Sequence, residues 1–433
     1  MTSIVTYEKL YLNVPFEERE WAKNEGLKFD GDGKCWYLPP GMDPLPFRSH
    51  WAYLENTFPD REELKRRGCR YNRHLKKVYV PDNLDFDDFT NWWPTPLKPF
   101  VFNDRYVVQD HASRTGQADV YQAWDIEEGG FYAIKYFLAD VAGFSTEILK
   151  KSFSLEMSAL LELDKHPNVL GISDWGKVED KGSSRHFIIS PWKPGGTLSQ
   201  LIGASEEEQL RSLFNTFRSS GYDISDEEEE RIFEEAVNST DPTDPWLDNE
   251  KILFGILDGL IHVHSKGIYH RDVKPHNILL DVPDNIDGDE SKISFVPVLC
   301  DFGTSKAVDF HNPDDLIRSK HTVVDMRTLP YRPDFSLTSK EGQKEVKNQN
   351  TWDLFSWAII AIELVANVPI EDSAEEAIKL LEEKVAEDLD KPIVDLVRTA
   401  LAPNPDDRPK DMRIFRRELK KLTETRRKNL GWS

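Results

Sequence analysis

Residues 269–280 read YHRDVKPHNILL and set a carboxylate (Asp272), an ammonium (Lys274) and a carboxamide (Asn277) within six residues of one another. CDFG follows at 300–303 and adds a second carboxylate, Asp301. Asp and Asn offer hard oxygen donors, the kind that magnesium prefers. Such groups act together only if the fold brings a loop and a later segment to one place. This pattern therefore constrains the tertiary structure more than any single helix or strand in the chain.

At 433 residues the chain exceeds one ordinary hydrophobic core, so two or three domains are expected. Apolar content of 39% and aromatic content of 11% are enough to bury such cores, which excludes a disordered chain. The cysteines are Cys35, Cys69 and Cys300, an odd number without metal-ligand spacing. They point to a reducing compartment and away from a disulfide framework or a zinc site. The N-terminus, MTSIVTYEKLYLNV, has no basic region followed by an apolar run, so no signal peptide is expected. The most apolar long segment, LFSWAIIAIELVANV (354–368), is too short to span a bilayer and carries Glu363. It reads as a buried core helix, apolar on all faces. A cytosolic protein with no membrane partner is the expectation.

The net charge of −22 is unevenly spread. Residues 1–98 hold 15 Lys+Arg and 16 Asp+Glu, a net of −1, so the remainder carries −21. An acidic body repels phosphate at long range and is a poor general ligand for nucleic acid. Binding of that kind would have to be local to the N-terminal part.

That part contains a degenerate repeat at an offset of 42 residues. EREWAKNEGLKFDGDGKCWYLP (18–39) lies on DREELKRRGCRYNRHLKKVYVP (60–81), matching Glu20 to Glu62, Gly26 to Gly68, Tyr37 to Tyr79 and Pro39 to Pro81. The same offset matches Tyr11 to Tyr53, Leu12 to Leu54, Phe47 to Phe89 and Trp51 to Trp93. Each unit, about 8–51 and 52–93, reads as a strand, a short charged helix stopped by glycine, then two strands. Gly26 and Gly68 stand where a helix ends in a left-handed residue. The first unit resembles a small domain of unknown function found in bacterial and mobile-element proteins. NWWPTPLKP (91–99) reads as the linker out of this 1–98 module.

Residues from roughly 103 to 425 resemble a eukaryotic-type (Hanks-type) Ser/Thr protein kinase domain, through YHRDVKPHNILL, CDFG and FYAIKYF (131–137). The resemblance implies an α+β, two-lobed kinase fold over 99–428. Its small β-rich lobe would cover 99–190 and its large helical lobe 191–428. ASEEEQLRS…WLDNE would form an acidic helical insert at 204–250, with capping-box spacings at Ser205…Glu208 and Ser225…Glu228. DVPDNIDGDESKISFVP (281–297) reads as an enlarged acidic hairpin.

The cofactors implied are ATP and Mg2+, and the partner a protein substrate with a Ser or Thr hydroxyl. By the same resemblance Asp272 accepts the hydroxyl proton and orients the attacking oxygen, and Lys274 neutralises charge on the transferring phosphoryl group. Asn277 and Asp301 hold magnesium, and Lys135 takes the α- and β-phosphates with Glu156 as its ion-pair partner. Thr328 bridges Asp272 and Lys274. Asp353, at the start of the apolar helix, anchors the catalytic-loop backbone. FIISPWKPGGTL (187–198) fits the hinge, with Ser190 as a small gatekeeper and the backbone of Pro191 and Lys193 facing adenine. Ala133 and Leu279 line the same nucleotide site. Arg271 implies control by activation-segment phosphorylation, with Thr322 the first candidate and Ser319 the second.

Two stretches depart from the family. SRTGQADV (113–120) puts Ser113, Thr115 and Ala118 at the phosphate-loop glycine positions; Val120 is retained, and Gly116 is displaced by one place. Small residues keep close backbone approach but not the freedom of glycine, so weakened nucleotide affinity is expected. RTLPYRPDF (327–335) has Asp334 and Phe335 where the family has its last proline and glutamate. Arg408, the arginine that this glutamate pairs with, is present. Either Asp334 reaches it or the segment docks differently.

Three functions stay open at this point: an active, autophosphorylating Ser/Thr protein kinase regulated by its N-terminal module, a pseudokinase scaffold, and a small-molecule kinase. The last usually carries a loop near HGDxxxxN, whereas Arg271 and Lys274 match the Ser/Thr protein kinase version. KRRGCRYNRHLKK (65–77) has seven Lys/Arg, one His and no acid around Tyr71, so single-stranded nucleic acid is a candidate ligand. The competing readings are a solvated face and a face docked on the acidic domain. RRELKKLTETRRK (416–428) reads as the solvated face of a last helix.

Overall fold

The structure is a computed structural model. It describes residues 10–12, 14, 18–30, 35–39, 42, 45–50, 53–54, 60–72, 77–81, 83–84, 88–89, 92, 101–103, 105–114, 118–125, 127–137, 146–180, 183–205, 208, 245–281, 295–303, 306–307, 330–333, 344–345, 348–371, 373–385 and 391–431. The chain falls into two compact units, Met1–Val141 with Ser173–Trp192, and Ala142–Ile172 with Lys193–Ser433.

The first unit opens with β1 (Leu10–Leu12), α1 (Arg19–Asn24), β2 (Lys28–Asp30) and β3 (Cys35–Leu38), in the sheet order β1-β3-β2. β4 (Tyr53–Leu54), α2 (Arg61–Arg66), β5 (Arg70–Asn72) and β6 (Lys77–Tyr79) follow, in the order β4-β6-β5. Each sheet has its own core: Leu12, Ala22, Leu27, Leu38 and Phe47 in one, Leu54, Leu64, Val80, Phe89 and Trp92 in the other. Both helices stop in the same way. Gly26 (φ 82°) and Gly68 (φ 93°) take the left-handed conformation that costs glycine least. The next residue's N–H then reaches back, Leu27 to Ala22 O at 3.0 Å and Cys69 to Leu64 O at 3.0 Å.

Among the described residues the same unit holds a six-stranded antiparallel sheet, ordered β11-β12-β10-β9-β8-β7. Its strands are β7 (Val101–Phe102), β8 (Tyr106–Arg114), β9 (Ala118–Asp125), β10 (Phe131–Phe137), β11 (Asp174–Asp180) and β12 (Ser183–Pro191). Residues two apart point to one face of a strand. Tyr121 with Ala123, Ile134 with Tyr136, and Phe187 with Ile189 accordingly build one core. Arg105 closes the β9–β10 turn by forking onto fully buried Asp125 at 2.8 and 2.6 Å.

The second unit contains α3 (Thr146–Glu162), α4 (Glu250–Ser265), α5 (Trp352–Ala366), α6 (Ala374–Leu380), α7 (Lys391–Ala400) and α8 (Met412–Leu430). Two short pairings, β13 (Ile268–Tyr269) with β16 (Lys306–Ala307) and β14 (Ile278–Asp281) with β15 (Val296–Leu299), lie among them. As the sequence predicts, α5 is buried along its whole length. Trp357 on α5 donates to Leu253 O of α4 at 2.9 Å and meets Phe415 of α8 edge-on at 5.3 Å. Gly255 and Gly259 let α4 approach its neighbours closely. A Cβ at 255 would lie 2.5 Å from Pro297, and one at 259 would lie 2.6 Å from Asn168 O.

The basic run 416–428 lies on α8, where Arg416 and Arg427 pair with Asp258 and Glu250 of α4. Its Arg417, Lys420, Lys421 and Lys428 face solvent. The capping box at Ser205 and Glu208 is formed: Ser205 N–H donates to Glu208 Oε2 at 2.8 Å, and Glu208 N–H donates to Ser205 Oγ at 3.2 Å. Ser225 and Glu228, most of the 204–250 insert and the tip of the 281–297 hairpin lie outside the described residues. No helix among the described residues is long and apolar enough to cross a membrane.

Candidate active site

The loop from His270 to Asn277 runs between β13 and β14, and α5 holds it from below. Asp353, in the first turn of α5, is fully buried. It accepts hydrogen bonds from His270 N–H at 2.8 Å and Arg271 N–H at 2.7 Å, and its Oδ2 lies 2.8 Å from His264 Nε2. Burial alone would push this carboxyl up. The His264 hydrogen bond, the nearby His264 and His270 rings and the Arg271 N–H more than offset that and hold it below the usual range. The anchor expected at Asp353 is thus in place. It over-determines a strained residue, since Arg271 has φ 67°, a conformation that costs a non-glycine about 1–3 kcal/mol. Burial also lowers the Arg271 guanidinium, to about 10, with Asp353 opposing and Arg332 adding to the shift.

The loop's chemistry-bearing side chains converge. Asn277 Nδ2 donates to Asp272 O at 2.8 Å and to Asp272 Oδ2 at 2.9 Å. Lys274 Nζ lies 3.1 Å from the same Oδ2. With the amide hydrogens of Asn277 so committed, its oxygen is the atom suited to a cation. The β14–β15 ladder then carries the chain to Asp301: Cys300 N–H donates to Asn277 O at 3.0 Å, and His270 Nε2 lies 3.0 Å from Cys300 O. Asp301 is the second strained residue, with φ 64°, and buried Phe302 packs against the His270 ring at 4.7 Å. Strain of this kind gathers where structure over-determines a site.

The remaining candidates are placed as follows. In the second unit Glu156 is buried on α3, and Leu279 is half-buried on β14. Lys193 Nζ pairs with Asp281 Oδ2 at 2.5 Å. In the first unit Lys135 sits on β10 opposite Val120, and Ala133 sits opposite buried Ser190. Pro191 pairs with Tyr132, Ala118 is buried opposite Phe137, and Ser113 is exposed near the end of β8. Thr115, Gly116, Ser319, Thr322, Thr328, Asp334 and Phe335 lie outside the described residues.

The structure corrects one expectation. Arg408 has a glutamate, and it is Glu345. The guanidinium, 3% exposed, forks onto it with Nη1 to Oε2 at 2.9 Å and Nη2 to Oε1 at 2.7 Å. Its Nε donates to Ala402 O at 2.8 Å, and Trp352 Nε1 donates to Glu345 Oε2 at 3.0 Å. The acid is present but displaced down the chain, so matching RTLPYRPDF position by position found a phenylalanine. Counting back from Asp353 would have reached Glu345 as the nearest acid preceding α5.

Sequence reasoning also passed over what Glu363 does. Tyr331 O–H donates to its two oxygens at 2.8 and 3.0 Å, and Ile370 N–H donates to Oε1 at 2.8 Å. Ser356 Oγ donates to Tyr331 O at 2.7 Å, so α5 grips Tyr331 twice, through its side chain and its backbone. Burial pushes the Glu363 carboxyl up to about 7, against an ordinary value of 4.5, with the Ile370 and Tyr331 donors only partly offsetting it. The folded chain therefore keeps a proton that the unfolded chain gives up. That contribution is complete below pH 4.5 and is lost as pH rises through about 7. It amounts to about 3 kcal/mol at 1.36 kcal/mol per unit. Glu363→Gln, which imitates the neutral acid, is expected to gain stability relative to the native chain as pH rises from about 5 to about 8. Denaturant midpoints at both ends of that range check this; parallel pH profiles would assign the proton elsewhere.

Residues 114–419 match the protein kinase domain, a match that implies the two-lobed kinase fold. Residues 9–52 match a domain of unknown function (DUF5710). The probable serine/threonine-protein kinase PknB of Lactococcus lactis is 31% identical over 181 residues, which is 42% of this chain and 22% of that protein. PrkC, a serine/threonine-protein kinase of Bacillus subtilis, is 28% identical over 182 residues, 42% of this chain and 22% of its own. The meiosis-specific serine/threonine-protein kinase mek1 of Schizosaccharomyces pombe is 25% identical over 301 residues, 68% of this chain and 54% of its own. The chain spans about a fifth to a quarter of the length of the two bacterial relatives. With the kinase match extending from the end of β8 into α8 and enclosing the whole Asp272–Asp301 constellation, this chain belongs to the protein kinase family.

Proposed function

We propose that this chain is an active Ser/Thr protein kinase that moves the γ-phosphate of ATP to a protein hydroxyl with the help of magnesium. The observation that carries the reading is the Asp272–Lys274–Asn277 cluster, clamped through the backbone by buried Asp353 and tied to Asp301 through Cys300. Asn277 and Asp301 offer two hard oxygens. That suits magnesium, which keeps waters and substrate phosphates as its other ligands. Bound there, the ion would neutralise charge on the nucleotide phosphates.

The chain's own groups do the rest. Asn277 and Lys274 both engage Oδ2 of Asp272, which restricts the carboxylate's rotation and leaves Oδ1 as the oxygen for an incoming hydroxyl. Asp272 orients that hydroxyl and takes its proton, while Lys274 also steadies charge on the phosphoryl group in flight. By the family resemblance Lys135 would take the α- and β-phosphates and Glu156 would be its partner. Ser190, Pro191, Lys193, Ala133, Val120 and Leu279 are the residues expected at the nucleotide, and Thr328 is the expected bridge between Asp272 and Lys274. A phosphate loop with Ser113, Thr115 and Ala118 in place of glycines weakens nucleotide binding without abolishing it. Phosphorylation at Thr322 or Ser319 would order the activation segment through Arg271, and the N-terminal module regulates the whole. A reducing, cytosolic setting is the reading that three cysteines without metal-ligand spacing support.

The pseudokinase reading leaned on two departures from the family. One is gone, because Arg408 has its acid in Glu345. The test is incubation of the purified chain with labelled ATP and magnesium, followed by mass-spectrometric mapping of sites on the chain and on added protein. Magnesium-dependent label on Ser and Thr is expected. No incorporation would return the scaffold reading, and label appearing only on metabolites would return the small-molecule kinase.

A further inference from the structure

Among the described residues of the N-terminal part, two large aromatic rings stand in solvent. Phe29 on β2 and Tyr71 on β5 are each 53% exposed, where rings of this size are usually largely buried. They are 42 residues apart, the offset that also relates the core pairs Leu12 and Leu54, Leu38 and Val80, and Phe47 and Phe89. The residue before each ring is an exposed cation, Lys28 in one unit and Arg70 in the other. β2 and β5 are both edge strands.

The registers extend the pattern across each sheet. Lys28 stands opposite Tyr37, which stands opposite Tyr11; Arg70 stands opposite Tyr79, which stands opposite Tyr53. Directly opposed residues share a sheet face. Each sheet edge therefore presents a cation in line with tyrosine positions on one face and an open ring on the other. Core positions recur between the units because each must fill its own interior. An exposed ring contributes little to folding, so its recurrence beside a cation asks for a ligand.

Charge selects the kind of ligand. In the same unit as Tyr71, Lys65 and Arg66 at the end of α2 are exposed along with Arg70, and Arg67 lies over the Trp92 ring at 5.2 Å. The ring and the cation project from opposite faces of one edge strand, so a nucleic-acid strand running along that edge could stack a base on the ring while the long cationic side chain reaches its phosphate. Bases inside a duplex are not open to stacking of this sort. We propose that the N-terminal sheets bind single-stranded nucleic acid, with Phe29 and Tyr71 as stacking platforms and Lys28, Arg70, Lys65 and Arg66 as phosphate contacts. This does not depend on the kinase reading.

The test uses the full chain and dye-labelled oligo-dT and oligo-U of about twenty nucleotides, followed by fluorescence anisotropy at low and raised salt. Binding that weakens with salt is expected, and the stronger of the two strands identifies the sugar. Tyr71→Ala and Phe29→Ala are each expected to weaken binding roughly 5- to 150-fold, the range for one lost base stack. Arg70→Glu should also flatten the salt dependence. Polyglutamate, which carries charge without bases, should compete poorly. Tyr71 is exposed and supports no core, so its variant keeps the native melting temperature even if loss of the Phe29 contact to Trp36 proves disruptive. The proposal is overturned by no binding at low salt. It is equally overturned if Tyr71→Ala binds as the native chain does while polyglutamate displaces the strand, which would mark a docking face for an acidic protein.

Discussion

Asp272→Asn is expected to lower phosphate transfer about 10²–10⁴-fold, the contribution of a positioned general acid–base group. The substitution is close to isosteric. Its side-chain oxygen can still accept from Asn277 Nδ2, and its backbone carbonyl keeps the other Asn277 bond. What it loses is the charge that faces Lys274 and the capacity to take a proton. Asp353, His264 and the strained Arg271 backbone are untouched, so the loop should hold its shape. The expected signature is a fall in the single-turnover rate with little change in ATP affinity or melting temperature. Equal incorporation by the native and substituted chains would falsify the assignment of Asp272.

The largest expected effect on stability is at Glu345. Glu345→Ala leaves the Arg408 guanidinium buried without its carboxylate, keeping only the Ala402 carbonyl and the face of Phe355 at 4.9 Å. Breaking one side of a buried ion pair costs about 3–5 kcal/mol, mostly as the penalty of the stranded charge. Replacing both partners with methionine should recover part of that loss, since no charge is then stranded, although Trp352 Nε1 and Ala402 O each lose a partner. Denaturant midpoints of the two single variants and the double variant measure the coupling. Asp334→Ala is the control, expected to change stability little. A loss at Asp334 as large as that at Glu345 would return the pairing to the position the family pattern suggests.

These two sites mark the difference between what could be read early and what could not. The meeting of Asp272, Lys274 and Asn277 was legible because these groups lie close along the chain and their order is tied to one backbone path. The apolar run at 354–368 announced a helix buried on every face, and α5 is that helix. Gly26 and Gly68 announced helix ends, because only glycine enters the left-handed region there at no cost. Residues 42 apart, Leu12 and Leu54, Leu38 and Val80, Phe47 and Phe89, lie in the two separate small cores.

Partnerships across variable stretches were not legible. Closing a loop costs only slowly more as it lengthens, so an ion pair can move its acid down the chain and keep its energy. For that reason Glu345 could replace the expected position, and only its place as the nearest acid before α5 marks it in the sequence. Glu363 read simply as a charge inside an apolar run; its contact with Tyr331 and its raised proton affinity depend on two segments meeting. The exposure of Phe29 and Tyr71 was hidden for the opposite reason. Their alternation suits a strand, and only the edge position of β2 and β5 left them uncovered. Residue types and spacings along the chain determined which groups could do chemistry. Burial, strain and choice of partner came from the folded structure, because each depends on what the rest of the chain brings within a few ångströms.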